Sequence, residues 1–405
     1  MADDPSDRLF ERARAVIPGG IPGIRAPGNF VPGAYPLWLA GGRRGHVTDL
    51  AGRDYVDLLL GYGPVVLGHG EPAVDTAAAR RAAEGFCLNL PGPLMVQLAE
   101  RLVSLVPSAE QALFFKTGSD ATSAAVRLAR AHTGRRRVLR CGYHGWHDWC
   151  LADDPGVPPA VSADVTPFRY NDADQLAALL DEPGAPAAAI ILTPVGHDFD
   201  RQIEPPAPDF LPRVRALADA AGAVLVFDEI RTGFRLELGG AQARYGVTPD
   251  LTALGKAMAN GYPITALVGC RTVMAAAQQT FISSTYFPNA MEMAAALATL
   301  DLLAGERVLE RIRRRGERLA EGLAGLVRDA GLPVTLSPYP EMPFVHFDPA
   351  LAADQPARRD RFYAALAAAG VFAHPRHHGF LCWRHDDADV DRVLTAAAGA
   401  AATLG

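Results

Sequence analysis

From about residue 90 onward the chain repeats short, mainly apolar runs: ALFF (112–115), RVLRC (137–141), AAAIILT (187–193), AVLVFD (223–228) and ITALVG (264–269). Helical patterns occupy 93–106, 119–132, 173–181, 209–221 and 289–303. A strand without a polar face must be covered on both sides, and intervening helices supply that cover. The pattern therefore predicts an α/β architecture: a mostly parallel sheet flanked by helices. A length of 405 residues exceeds one simple core and predicts two domains. Residues 6–17 read as a short helix stopped by Pro18-Gly19-Gly20, and HVTDLAGRDYVDLL as two β-like runs around a turn at Gly52. After residue 304 the chain is Ala/Leu/Arg-rich and helical, with short strands expected near VHFD (345–348) and GVFAHP (370–375).

Composition narrows the function classes. A net charge of −6 argues against a general nucleic-acid binder. Cys87, Cys141, Cys150, Cys270 and Cys382 are scattered without CxxC spacing, which fits a reduced, cytoplasmic chain without a disulfide framework or zinc site. The N-terminus reads as neither signal peptide nor membrane span, and no apolar run reaches spanning length.

Lysine is almost absent: Lys116 and Lys256 are the only two. Arginine supplies positive charge equally well but cannot act as a neutral amine, whereas a buried lysine can become a nucleophile toward carbonyls. Lys256 lies in the apolar stretch LTALGKAMANGYPITALVG. Asp228 ends AVLVFD, at the C-terminal end of a strand, where open α/β sheets bind ligands. The 28 positions between the two residues leave room for a connection, a strand and a return to the same edge.

In FFKTGSDATSAAVRLAR a strand ends, Thr117-Gly118-Ser119 turn, and a helix starts. Free N–H groups and the helix dipole favour a phosphate there. Neither a Walker loop nor GxGxxG is present. CGYHGWHDW (141–149) places Tyr143, His144, Trp146 and Trp149 after another strand, with flat surfaces suited to a planar ring. His144 and His147 are three apart, but no further residue at ligand spacing accompanies them, so no metal is expected. A phosphate site, a stacking face, a carboxylate for a ring nitrogen and an amine for an aldehyde together describe pyridoxal 5′-phosphate.

With IPGGIPGIRAPG, GRDYVDLLLGYGPVVLGHG, VLVFDEIRTGFR, GVTPDLTALGKAMANGYPITALVG and STYFPNAMEMAAALATL, these motifs resemble the class III (subgroup II) pyridoxal-phosphate aminotransferases, in the branch similar to glutamate-1-semialdehyde aminomutase. The resemblance runs from about residue 17 to 300. It implies fold type I: a large domain with a seven-stranded sheet (61–300) and a smaller α+β domain built from both termini (1–60 and 301–405). It also implies a homodimer with shared active sites.

By position, the resemblance makes Lys256 the Schiff-base lysine and Asp228 the partner of the ring nitrogen. Ile230 and Tyr143 flank the ring, with His144 beside it. Gly118 and Ser119 hold the phosphate, and Thr285 contacts the phosphate of the neighbouring subunit. The segment from Trp146 to about Asp164 falls where the family has a mobile loop. The chain departs from the family at Thr193-Pro194-Val195, where relatives read Glu-Pro-Val, and at Arg231, where they often have Gln or Met. His197 or Asp198 then stands as the alternative contact to the ring hydroxyl. For a substrate carboxylate, Arg25 is the first choice, with Arg376 and Arg384 as alternatives; Trp146 adds an aromatic wall. The expected reaction is ping-pong transfer from a donor such as L-glutamate to a carbonyl acceptor. A 2,1-aminomutase is the runner-up.

Overall fold

The computed structural model describes residues 5–152 and 154–404. Met1–Asp4, which open the acidic N-terminus, and Asp153, within the Pro/Asp-rich 146–164 segment, lie outside it. The chain divides into two compact units. One comprises residues up to Glu71, Asp198–Ile203 and Glu310 onward; the other comprises Pro72–His197 and Glu204–Leu309.

The second unit is built on a seven-stranded sheet. Its spatial order is Gln111–Phe115, Thr265–Gly269, Leu251–Leu254, Val224–Asp228, Ala187–Leu192, Arg137–Cys141, Val165–Pro167. Thr265–Gly269 runs antiparallel to both neighbours, and the other adjacent pairs are parallel. Alternate residues of each central strand enter opposite cores. Val224, Val226, Ala189 and Ile191 pack in one with helix Gly118–Thr133, while Leu225, Phe227, Ile190 and Leu192 pack in the other with helix Phe210–Ala221. This two-sided burial is why the runs show no polar alternation.

The turn into helix Gly118–Thr133 is fixed locally. Thr117 caps it in a box with Asp120, each side chain meeting the other residue's backbone N–H. The helix ends at Gly134, φ 67°, a left-handed position suited to glycine. Glu229, fully buried beside Asp228, accepts from Gln242 N at 3.0 Å and Thr232 Oγ1 at 2.9 Å, and also from Ala241 N. It ties the start of helix Gly240–Tyr245 to the end of the Asp228 strand.

In the first unit, strands Leu39–Arg43, His46–Asp49 and Asp54–Asp57 form an antiparallel meander, and Val371–Phe372 adds in parallel. An aromatic cluster of Tyr55, Tyr62 and Phe372, with Phe30 and Tyr35 against it, packs beside this sheet. His46 joins the sheet to helix Asp387–Ala402: Nδ1 lies 2.8 Å from Asp54 and Nε2 2.8 Å from Asp389. Among the described residues no helix is long and apolar enough to cross a membrane.

The seven-stranded, mostly parallel sheet agrees with the sequence reading. Strands Leu39–Arg43, Val165–Pro167 and Leu251–Leu254 and helix Pro72–Ala83 were not signalled. LTAL is four residues long and buried on both faces, so it carries no periodicity. The helix 72–83 is mostly alanine and arginine with two buried residues, too weak an apolar stripe to read.

Candidate active site

Because the sheet is mostly parallel, several strands deliver their C-terminal ends to one edge. Thr117–Ser119 follow Gln111–Phe115, Tyr143 and His144 follow Arg137–Cys141, Thr193 follows Ala187–Leu192, Asp228 ends its strand, and Lys256 follows Leu251–Leu254. Asp228 and Ala253 are register partners, so the carboxylate and the lysine leave adjacent strands on the same side.

Asp228 is 6% exposed. One carboxylate oxygen meets His144 Nδ1 at 2.9 Å, and the other accepts the Ile230 N–H at 3.2 Å. His144 is held in turn: Thr122 Oγ1 donates to its carbonyl at 2.7 Å, and the Trp149 ring lies nearly parallel, centroids 6.3 Å apart. Trp149 Nε1 donates to Ser123 Oγ, which also meets His147 Nδ1 at 2.8 Å. Thr122, Ser123 and Trp149 thus brace the Asp228–His144 pair. The sequence reading quoted these residues without giving them that task, because the bracing crosses from a helix to a loop some 20 positions away.

Lys256 opens a 3₁₀ turn, Lys256–Ala259, with φ 44°. A non-glycine residue in the left-handed region is strained and concentrates at functional sites. Its side chain keeps some accessible surface, but the amine is surrounded by protein. Burial, then the nearby charges of Arg231 and Arg235, lower its pKa to about 8 against the opposing pull of Asp228. Lys116, the other lysine, pairs with the buried Glu292 carboxylate at 3.1 Å. Its role is an ion pair within the fold, so scarcity alone does not mark a lysine as chemical.

Ile230 packs against Gly118, where an added Cβ would lie 3.2 Å from Ile230 Cγ1. At Gly145, φ 111°, a Cβ would stand 2.2 Å from Ser119 Oγ, so only glycine lets Trp146 N donate to that hydroxyl at 3.1 Å. The Tyr143 and Trp146 rings are 63% and 68% exposed. Thr285 is exposed in a turn before helix Ala290–Gly305, and among the described residues no hydrogen bond joins it to Thr117–Ser119. Asp198 is exposed, 3.8 Å from Arg201.

Arg25 and Arg376 belong to the first unit. The Arg25 guanidinium sits 5.6 Å from the Tyr62 ring centroid. The Arg376 side chain is 3.9 Å from Asp200, and the Arg376 backbone N–H donates to His374 Nδ1 at 3.0 Å. Arg384 is held by both Glu71 oxygens at 2.8 and 2.9 Å.

Whether these residues suit pyridoxal phosphate is tested by their polar inventory. The Gly118 and Ser119 N–H groups open a helix, where no carbonyl four residues back can take them. His144 Nε2 and Thr193 Oγ1 are buried without a hydrogen-bond partner. An anion cradle, buried polar atoms without a partner, a buried carboxylate and a low-pKa amine on one sheet edge fit the group.

Fold and site define a pyridoxal-phosphate transferase of fold type I. Residues 34–336 match the profile of the family described as aminotransferase class-III. The chain is 43% identical over 390 residues to a 3-aminobutyryl-CoA aminotransferase of Cloacimonas acidaminovorans, covering 96% of this chain and 94% of that protein. It is 36% identical over 428 residues to a glutamate-1-semialdehyde 2,1-aminomutase of Chloroflexus aurantiacus, covering 98% and 96%. Among solved structures it is similar to the FumI protein of a Sphingopyxis species in its PLP internal aldimine form, with TM-score 0.93, 33% identity, and 98% and 96% coverage. The chain belongs to the class-III aminotransferase family, whose cofactor is pyridoxal phosphate.

Proposed function

We propose that this aminotransferase moves an amino group between L-glutamate and a carbonyl β to an acyl group, with Lys256 as the attachment amine and proton carrier. The carrying observation is a lysine with a depressed pKa just past the strand that pairs with the one ending in a histidine-braced aspartate. The 3-amino group in the name of the relative at 43% identity supports the β position.

When bound, pyridoxal phosphate supplies an aldehyde for an amine and a ring that draws electrons from it. Lys256 Nζ, largely unprotonated above pH 8, would be the amine that holds the cofactor's aldehyde and the base that takes a proton from the substrate carbon bearing nitrogen. The Asp228 carboxylate keeps the ring nitrogen protonated, and His144 fixes that carboxylate's orientation. Gly118 and Ser119 hold the phosphate, with Thr285 supplied by a second copy in a homodimer. Tyr143 and Ile230 would flank the ring, and Trp146 would wall the substrate. Arg25 and Arg376 serve as the carboxylate or acyl-group anchors. Residues 61–300 act as the cofactor-binding domain, 1–60 and 301–405 as the smaller one, and the enzyme works in the cytoplasm.

The test is a single-turnover absorption experiment. L-glutamate should shift the cofactor band and release one equivalent of 2-oxoglutarate, and acetoacetyl-CoA should restore the band. Isomerisation of glutamate-1-semialdehyde without release of any keto acid would instead establish the aminomutase reading, which the relatives at 36% identity also support.

A further inference from the structure

The segment Glu229–Arg235 folds back over the strand that delivers Lys256. Glu229 N donates to Ala253 O at 2.9 Å, and Gly233 N donates to Glu229 O at 2.8 Å. Side chains confirm the overlay. An added Cβ at Gly255 would stand 3.0 Å from Ile230 Cδ1, and one at Gly233 would stand 2.7 Å from Leu254 Cδ2. Residues 230–233 therefore lie directly against Leu254–Gly255, with Lys256 next in the chain.

Two arginines ride on this fold-back. Arg231 is 8% exposed and Arg235 1% exposed. Arg231 Nη2 donates to the Val195 carbonyl at 2.6 Å, just past the strand Ala187–Leu192. That bond fixes a guanidinium at the same sheet edge as the lysine. A guanidinium keeps its charge at every pH the fold survives, so its field on a neighbouring amine is constant.

We infer that Arg231 is a positioning residue whose anchored charge holds the Lys256 amine in its neutral, nucleophilic form. The inference rests on Lys256 being the attachment amine. The charges that act on that amine are those of Arg231 and Arg235 from the fold-back and of Asp228 from the adjacent strand. Helix Ala290–Gly305, which packs on the Lys256–Ala259 turn, brings Glu292, whose carboxylate is taken by Lys116. The charges of Arg231 and Arg235 thus act against that of Asp228 at a largely desolvated ammonium. Like charges and desolvation both favour proton loss. Burial is the largest contribution and the arginines follow it, so removing one arginine shifts the balance without reversing it.

The scarcity of lysine makes this measurable. The full-length protein, freed of cofactor, is trace-labelled with acetic anhydride from pH 6 to 11, and acetylation is read by mass spectrometry. In the parent and in Arg231→Gln only Lys116, Lys256 and the N-terminal amine report, and Arg231→Lys adds one further amine, at position 231, read separately. Arg231→Gln keeps a donor for the Val195 carbonyl and loses the charge; Arg231→Lys keeps the charge. In Arg231→Gln the Lys256 labelling midpoint should rise by about one pH unit, roughly tenfold less neutral amine at a given pH below it. Arg231→Lys should stay near the parent, and Lys116 should be unmoved in both. Equal midpoints in parent and Arg231→Gln overturn the inference, as do equal shifts in both variants, which would make the residue a structural anchor only. Borohydride reduction of the loaded enzyme separates the two readings: no cofactor adduct on Lys256 defeats the attachment role, whereas an adduct with an unmoved midpoint defeats only the role of Arg231.

Discussion

At the scale of the residue, two side chains carry the proposal, and each can be removed without touching the core. Lys256→Arg should fold and bind pyridoxal phosphate reversibly, yet give no mass adduct after borohydride reduction; an adduct at residue 256 is chemically closed to arginine. Asp228→Asn keeps the shape of the His144 partner but not its charge. It should lower kcat by about 10²–10³-fold with a smaller change in KM, the range for loss of one preorganised electrostatic group; steady-state kinetics decide this. Gly145→Ala places a methyl group 2.2 Å from Ser119 Oγ at φ 111°. Weaker cofactor binding, read by fluorescence titration, is the expected result, with little loss of folding. Lys256, Asp228 and Gly118-Ser119 were legible from sequence because each is a residue type with few substitutes at a strand end or helix start. Arg231 stood out only as a departure from the family motif. Its anchor, Val195, lies 36 positions earlier, and no local pattern links them.

At the scale of the element, the fold holds its site through strand order and through polar ties between elements. In the first unit, His46 bridges Asp54 and Asp389 and has its pKa raised from 6.5 to about 9, first by the Asp389 hydrogen bond. A histidine whose folded pKa is raised stabilises fully below its unfolded value and ceases to do so above its folded one. Stability should therefore be flat below about pH 6.5 and fall as the pH climbs to about 9, by about 1 kcal/mol because the ring is partly solvated. Denaturant midpoints for the parent and His46→Asn across that window test this; the variant should lack the step. Arg384 forms a bidentate pair with Glu71, whose side chain is 4% exposed. Arg384→Ala strands that carboxylate and should cost about 2–3 kcal/mol of stability, read as a lower thermal midpoint. These ties join residues more than 300 positions apart, which is why charge counts along the chain did not disclose them.

At the scale of the whole molecule, the expectation is a homodimer. Thr285 is exposed in the single chain and makes no hydrogen bond to Thr117–Ser119 among the described residues, although the family places it at a phosphate. Sedimentation should give twice the chain mass, and Thr285→Ala should weaken cofactor affinity without changing that mass. A monomer with full cofactor affinity would remove the shared-site reading. The mostly parallel sheet was anticipated because burial on both faces leaves an apolar signature in its longer strands; the count of seven came from the family resemblance. Its shortest members, Leu251–Leu254 and Val165–Pro167, escaped because three or four residues cannot show a period.

The sequence by itself determined the candidates for the chemistry: an amine that can lose a proton, a carboxylate that ends a strand, and a helix start suited to a phosphate. Those choices depend on residue type and on neighbours a few positions away. Only the tertiary structure decided how they act together. Strand order put Asp228 beside the strand that ends before Lys256, and Thr122 and Trp149 came to brace His144. The same packing paired Lys116 with Glu292 and anchored Arg231 on the Val195 carbonyl. Such pairings depend on distance in space, which sheet topology and burial set and linear spacing does not.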